Sequence, residues 1–359
     1  MTTLLLIGTK KGLWLATSDD RVSWAVHGPH FPMQAVSACA IDLRGLAPRL
    51  LVGATSEHWG PTVSWSDDSG TTWHETPGGG VRFPEGAGAS VEAVWQLAPD
   101  TVDRPDVVWA GTQPSALWRS EDRGETFSLV QGLWDHPHRP TWAPGYGGQA
   151  VHTVLPDPRD DQKVLVAMST GGVYVTADGG ATWAPSNTGI HAWFFPEPLV
   201  EYGQCVHKVA RDARDPDLLY AQNHGGVYVS HDAGASWAAS EDGLPADFGF
   251  PVVAHPTRGG TAYVVPLVAD RDRTVPGAQL QVWRTDDAGS SWRSASSGLP
   301  AGYFAVVLRD AFATDGGDPA GLFLGGRDGS VYASADEGES WSEVVRHLPD
   351  VLCVRAAVI

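Results

Sequence analysis

Apolar residues in this chain fall in short runs of four to eight, separated by clusters of Gly, Pro, Asp and Ser, and the runs recur in a fixed order. Residues 149 to 186 show one full unit. Ala150 to Leu155 is a short apolar run, and Pro156 to Asp160 reads as a turn. Lys163 to Met168 is a second run, Thr170-Gly171-Gly172 a second turn, and Val173 to Thr176 a third run. A third turn then leads into a brief fourth segment at Thr182 to Ala184. Short β-rich runs bounded by turn residues predict strands, here four antiparallel strands per unit. Other units keep the frame, with Leu50–Gly53 before Val63–Trp65, Val107–Gly111 before Ala116–Ser120, and Leu322–Gly326 before Val331–Ser334.

The third turn is the most regular part of each unit. Ser66-Asp67-Asp68-Ser69-Gly70-Thr71-Thr72-Trp73 returns at Ser120–Phe127, Thr176–Trp183, Ser230–Trp237, Thr285–Trp292 and Ser334–Trp341. A degenerate copy spans Thr17–Trp24, with Arg21 in the glycine position. The central aspartates are Asp19, Asp68, Asp122, Asp178, Asp232, Asp287 and Asp336, spaced by 49, 54, 56, 54, 55 and 49 residues. Self-similarity at such a period marks a repeat architecture. In the turn, glycine supplies a positive φ, and the hydroxyl and carboxylate satisfy turn N–H groups, so these aspartates are expected to be structural. The closing aromatic is expected to fill the seam between units.

Seven units of four strands predict an all-β, seven-bladed β-propeller, a single domain over residues 1–359. Residues 1–27 lack the first strand of a blade, and the run Val351–Val358 has nothing after it. Pairing 350–359 with 1–27 completes the first blade and leaves no open edge around the ring.

Composition then narrows the partners. Forty-two acidic against 24 basic residues give a formal charge of −18, which repels phosphate backbones and anionic membrane surfaces. Nucleic-acid and membrane binding are therefore not expected. Cys39, Cys205 and Cys353 form no spaced framework, and Leu4–Ile7 is too short and poorly flanked for a secretory signal, so a cytoplasmic protein is expected.

The repeated octet, following Gly-Val-Tyr-type strands, resembles the bacterial neuraminidase repeat, or Asp box, of sialidase-like propellers. The resemblance covers the whole chain. The same box occurs in sialidases, xyloglucan-degrading two-propeller enzymes, sorting receptors and photosystem assembly factors, so it implies the fold and leaves the function open. A sialidase would carry an arginine triad, a Tyr–Glu nucleophile pair and a Phe-Arg-Ile-Pro motif. Val81-Arg82-Phe83-Pro84 is only an echo of that motif, and arginines are too few for the triad.

In such propellers the box turns lie on one face and ligands bind on the other. Three loops expected there are unusually long: residues 78–90 with Arg82 and Glu85; 133–149 with Trp134, Asp135, His136, Trp142, Tyr146 and Gln149; and 191–204, ending at Gln204. Glu85, Glu92, Asp135 and His136 are the candidate catalytic groups, and paired carboxylates suit glycoside hydrolysis. Arg82, Trp134, Trp142, Tyr146, Gln149, Gln204 and His224 are the candidate ligand-binding residues.

Aligning first strands as Val36-Ser37-Ala38-Cys39, Val91-Glu92-Ala93-Val94, Val151-His152-Thr153-Val154 and Val206-His207-Lys208-Val209 places Glu92, His152 and His207 at one register position. Two histidines and a carboxylate compose a facial triad for one divalent ion, Fe, Mn or Zn. Against this, a channel histidine is often only hydrogen-bonded to a neighbour. Cys205, on the same side of its strand as His207, is expected to serve packing. The sequence thus favours an enzyme acting on a small polar or glycan-like ligand at the channel mouth, as a metal-assisted hydrolase or lyase. The alternatives are a non-catalytic binding or assembly protein, and a metal-free, sialidase-like glycoside hydrolase.

Overall fold

The computed structural model describes residues 1–144, 148–268 and 273–359. Its strands form five four-stranded antiparallel sheets and one eight-stranded sheet. The eight-stranded sheet is two four-stranded antiparallel sets, joined by a single parallel bridge between Asp310 and Cys353. The unit at 149–186 is typical, with strands Val151–Asp157, Asp160–Met168, Gly172–Thr176 and Ala184–Pro185. Each lies within a few residues of the segment that the apolar pattern marks.

The ends pair as the sequence predicts. Val351–Val358 runs antiparallel to Thr3–Thr9, with Leu5 opposite Ala356 and Ile7 opposite Val354, and this set continues through Gly12–Ser18 and Ala25–His30. The first strand of every set packs against the first strand of the next. This succession closes on itself when Val351–Val358 meets Ala35–Asp42. Apolar side chains fill the wedges between neighbouring sets, so the core is a ring of clusters around a common axis.

The octet turns show why the motif is so regular. Ser66 Oγ donates to Asp68 Oδ1 at 2.8 Å and accepts from the Gly70 N–H at 2.9 Å. Asp68 Oδ1 also accepts from the Thr72 N–H at 2.8 Å, and its Oδ2 from the Thr72 hydroxyl at 2.7 Å. Those bonds from Thr72 and Ser66 hold the Asp68 pKa down to about 2. The same set recurs around Asp122, Asp178, Asp232, Asp287 and Asp336.

The first copy departs from its expected alignment. There Ser18 and Asp20, not Thr17 and Asp19, carry the bonds: Asp20 Oδ1 accepts from the Ser23 N–H at 2.7 Å, and Asp19 instead accepts from Thr2. The turn is one residue shorter between hydroxyl and tryptophan, and Arg21 takes a positive φ of 59°.

A second repeated contact ties the sets together. The backbone N–H of Trp237, Trp292 and Trp341 donates to the carbonyl of Thr188, Asp242 and Ser297 in the preceding set. Their indole N–H groups reach back to the Ser186, Ser240 and Ala295 carbonyls. Gly189, Gly243 and Gly298 follow those first acceptors. A Cβ on Gly243 would lie 2.4 Å from the Trp292 carbonyl oxygen, so only glycine lets the two backbones meet there.

Candidate functional site

The site is built by an irregularity shared by the first strands. Each first strand shows a register shift near its start, between Val36 and Ala38, Val94 and Gln96, Val151 and Thr153, Val206 and Lys208, Gly249 and Val252, Val307 and Phe312, and Val351 and Cys353. A bulge frees one residue from the ladder and re-aims its side chain. The residues so freed include Ser37, Trp95, His152, His207, Phe250 and Arg309. The strand Ala93–Pro99 starts after Glu92, so the position equivalent to His152 and His207 is Trp95. The expected register Val91-Glu92-Ala93-Val94 is corrected by three residues.

The expected metal triad of Glu92, His152 and His207 therefore does not assemble. Glu92 is exposed and accepts from the Gln113 side chain at 2.6 Å. His152 is fully buried, with Nδ1 at 3.3 Å from Thr153 Oγ1. His207 sits elsewhere, in a group with Cys205 and His224 whose ligand atoms lie within 4.8 Å of one another. Burial, and the cation of Arg309, hold the pKa of both His152 and His207 well below the ordinary histidine value, so both rings are neutral.

Around the axis lies a cavity of about 610 Å³. Ser37, Trp95, His207, Phe250 and Arg309 border it from the first strands, and Thr55, Gln113, Thr170, Phe194, Cys205 and His224 from loops and second strands. Arg309 lies over the rings of Trp95 and Phe250, at 5.5 and 5.2 Å from their centroids, and donates to Ser169 Oγ at 3.2 Å. Its buried Nε has no partner. The neighbouring carboxylate, Asp310, is already taken by Lys208 at 2.8 Å and by Arg355. Lys208 also donates to Gln96 Oε1 at 2.8 Å and the His152 carbonyl at 3.0 Å, so three acceptors match three ammonium hydrogens. Burial alone would raise the Asp310 pKa, but the two cations outweigh it and keep the carboxylate ionised.

Of the expected ligand residues that are described, only His224 borders this cavity. Trp134 is buried, packed at a tilt against Phe83 with ring centroids 4.4 Å apart and capped by the Arg139 guanidinium at 3.9 Å. Trp142 is buried and donates to the Tyr174 hydroxyl at 3.0 Å. His136 is locked, its Nε2 donating to the Trp183 carbonyl at 3.2 Å and its Nδ1 accepting from the His138 N–H at 3.1 Å. Gln204 is buried and donates to the Ile190 and Val200 carbonyls. These four are corrected from ligand contacts or acid–base groups to supports, because neighbouring rings, hydroxyls and backbone carbonyls already occupy them. Asp135 is exposed at the end of the short helix Gln131–Trp134, holding Gln131. Gln149 is half-buried, with its Nε2 unpartnered. Arg82 and Glu85 line a separate, open groove of about 1430 Å³. Tyr146 lies outside the described residues.

Trp95, Phe250 and Arg309 are among the site residues that the sequence pattern misses. The pattern Val94-Trp95-Gln96-Leu97 beside Val206-His207-Lys208-Val209 is the signal that could have found the first.

A closed ring of four-stranded sheets with a ligand-sized cavity on its axis defines a β-propeller with a hub site. No protein-family model matches the chain. Over 256 residues it is 27% identical to an oligoxyloglucan-reducing end-specific xyloglucanase of Emericella nidulans, covering 59% of this chain and 29% of that protein. It is 25% identical over 263 residues to a xyloglucanase of Hypocrea jecorina, covering 62% of this chain and 28% of that protein. The chain thus spans less than a third of the length of these curated relatives. Among solved structures, the GH74 enzyme of Niastella koreensis superposes with a TM-score of 0.55 at 15% identity, over 98% of this chain and 67% of that one. YCF48 bound to a D1 peptide superposes at 0.50 with 13% identity, over 92% and 85%. These likenesses establish the propeller fold.

Proposed function

We propose that this chain is a seven-bladed β-propeller of the Asp-box kind, each four-stranded set being one blade, and that its hub cavity binds a glycan. The observation that carries this is the cavity itself. Its volume suits a short oligosaccharide, and it sets flat aromatic faces of Trp95, Phe194 and Phe250 among hydroxyl, amide and guanidinium donors. The xyloglucanase relatives support a carbohydrate ligand and, with it, hydrolysis of a glycosidic bond by carboxylates without a metal, rather than the metal-assisted hydrolase or lyase chemistry that the sequence favours. Such hydrolysis takes two carboxyl groups on either side of the scissile bond. Asp310 at the cavity wall is neutralised by two cations and serves as a scaffold. Glu92, bonded to the cavity residue Gln113, is the carboxylate best placed at the rim.

The test is calorimetric titration with xyloglucan-derived and other oligosaccharides, followed by hydrolysis assays. Saccharide binding lost on Trp95→Ala, and turnover lost on Glu92→Gln with binding retained, are the expected results. No binding across the panel, or binding indifferent to Trp95→Ala, would sink the proposal.

One observation favours a second function, docking of a protein partner. Trp193, Phe194, Phe195 and Leu199 are exposed together on the loop beside the cavity mouth, and scattered single apolar residues would not form such a patch. Partner capture lost on a Trp193→Ala/Phe195→Ala double variant that still binds saccharide would separate this role from the first.

A further inference from the structure

The group of Cys205, His207 and His224 has the geometry of a preformed metal site. Cys205 precedes the strand Val206–Arg211, His207 is freed by that strand's bulge, and His224 lies on the turn between Leu219–Asn223 and Gly226–Ser230. The turn is pinned to the first ligand by its backbone, the His224 N–H donating to the Cys205 carbonyl at 2.9 Å.

Three features bear on coordination. Cys205 Sγ and His207 Nε2 are 3.5 Å apart. A tetrahedral ion with metal–sulfur and metal–nitrogen bonds of about 2.3 and 2.0–2.1 Å spans an S···N edge of about 3.6 Å. His207 Nδ1 lies 2.5 Å from the Gly249 carbonyl, which can only accept, so Nδ1 carries the proton and Nε2 presents its lone pair to the sulfur. A backbone carbonyl on the remote ring nitrogen is the usual support of a metal-bound histidine. All three side chains border the hub cavity, so a fourth coordination position opens onto it.

We propose that Cys205 Sγ, His207 Nε2 and His224 bind one thiophilic divalent ion, Zn²⁺ fitting the ligand set best, with its fourth position facing the cavity. Soft thiolate with two imidazoles selects Zn²⁺ over Mg²⁺ or Ca²⁺. Burial raises the Cys205 pKa and the nearby Arg309 cation only partly offsets it, so binding of the ion displaces the thiol proton. This site goes beyond glycan binding, assigns no reaction to the metal, and replaces the triad of Glu92, His152 and His207.

The test uses full-length protein purified without a metal-affinity tag and stripped by chelator. Titration with Zn²⁺ should show one equivalent per chain, and the Co²⁺ form should show thiolate-to-cobalt charge transfer together with tetrahedral d–d bands. Cys205→Ser should abolish the charge-transfer band, and His224→Ala should weaken Zn²⁺ by roughly a hundredfold or more, given that loss of a supporting partner alone costs 10–100-fold. Glu92→Gln should leave both unchanged. Circular dichroism reports whether each variant folds, and the near-isosteric Cys205→Ser keeps the test valid if His224→Ala does not. Substoichiometric binding in the parent, or binding unchanged in Cys205→Ser, overturns the proposal. Saccharide titrations of the stripped protein read the glycan site separately.

Discussion

Replacing Asp310 by Asn should weaken the fold at its axis. Asp310 is buried and accepts from Lys208 and Arg355, cations that reach it from two other blades. Asparagine keeps the shape but removes the charge, and turns one acceptor oxygen into a donor that faces a cation. Two buried cations then share one neutral oxygen. Breaking a buried ion pair from one side costs about 3–5 kcal/mol. With about 2.1 cal/mol/K of unfolding entropy per residue, a chain of 359 residues has an unfolding entropy of roughly 0.75 kcal/mol/K, so Tm should fall by about 4–7 °C. Calorimetry with urea titration measures both. Lys208→Met combined with Asp310→Asn removes one of the two orphaned charges and should recover part of the loss. A loss under about 1 kcal/mol for Asp310→Asn, or a double variant as weak as the sum of its singles, would refute this view of the hub.

Stability should also depend on pH through His152 and His207. Their folded pKa values are depressed, so below about pH 6.5 the unfolded chain binds protons that the folded chain refuses. Their contribution is present above that pH and is lost as pH falls, at up to about 1.4 kcal/mol per pH unit for each histidine. Urea titrations at pH 7.5, 6.0 and 5.0 measure the slope, which His152→Gln should cut to about half; a flat profile would contradict neutral burial. Gly243→Ala should cost more than Gly302→Ala. Both have positive φ, which alone costs about 1–2 kcal/mol, but only at Gly243 does the added carbon meet a backbone carbonyl. Equal Tm losses would show that close approach to Trp292 is unimportant. Arg309→Met should weaken binding of acidic saccharides at least tenfold more than that of neutral ones, because the guanidinium's buried Nε awaits an acceptor; an equal loss would place both ligands away from Arg309.

Much of the fold is legible in the chain because its determinants are local. The octet is a closed hydrogen-bond set within eight residues, and strand alternation marks each sheet without reference to the others. Even the pairing of Thr3–Thr9 with Val351–Val358 follows from counting strands. The hub is less legible because bulges are set by packing around the axis. Apolar alternation matches Val91 to Val151 as readily as it matches Val94, and only the ladder shows that Trp95 takes the place of Glu92. Trp134, Trp142 and His136 resemble ligand contacts for a related reason. Their covers, Phe83, Tyr174 and the Trp183 carbonyl, come from loops and strands distant in sequence. The shift from Asp19 to Asp20 reflects a one-residue deletion hidden by two adjacent aspartates. Strand alternation puts Cys205 beside His207, which reads as packing, and only the fold brings His224 from a separate turn to join them.

The most direct test of the hub as the ligand site is a crystal structure of the protein soaked with an oligosaccharide that binds in solution. The sugar should lie on the propeller axis against Trp95 and Phe250, with a polar group on Arg309. A sugar bound instead along the groove of Arg82 and Glu85, with the hub left to solvent, would contradict the account.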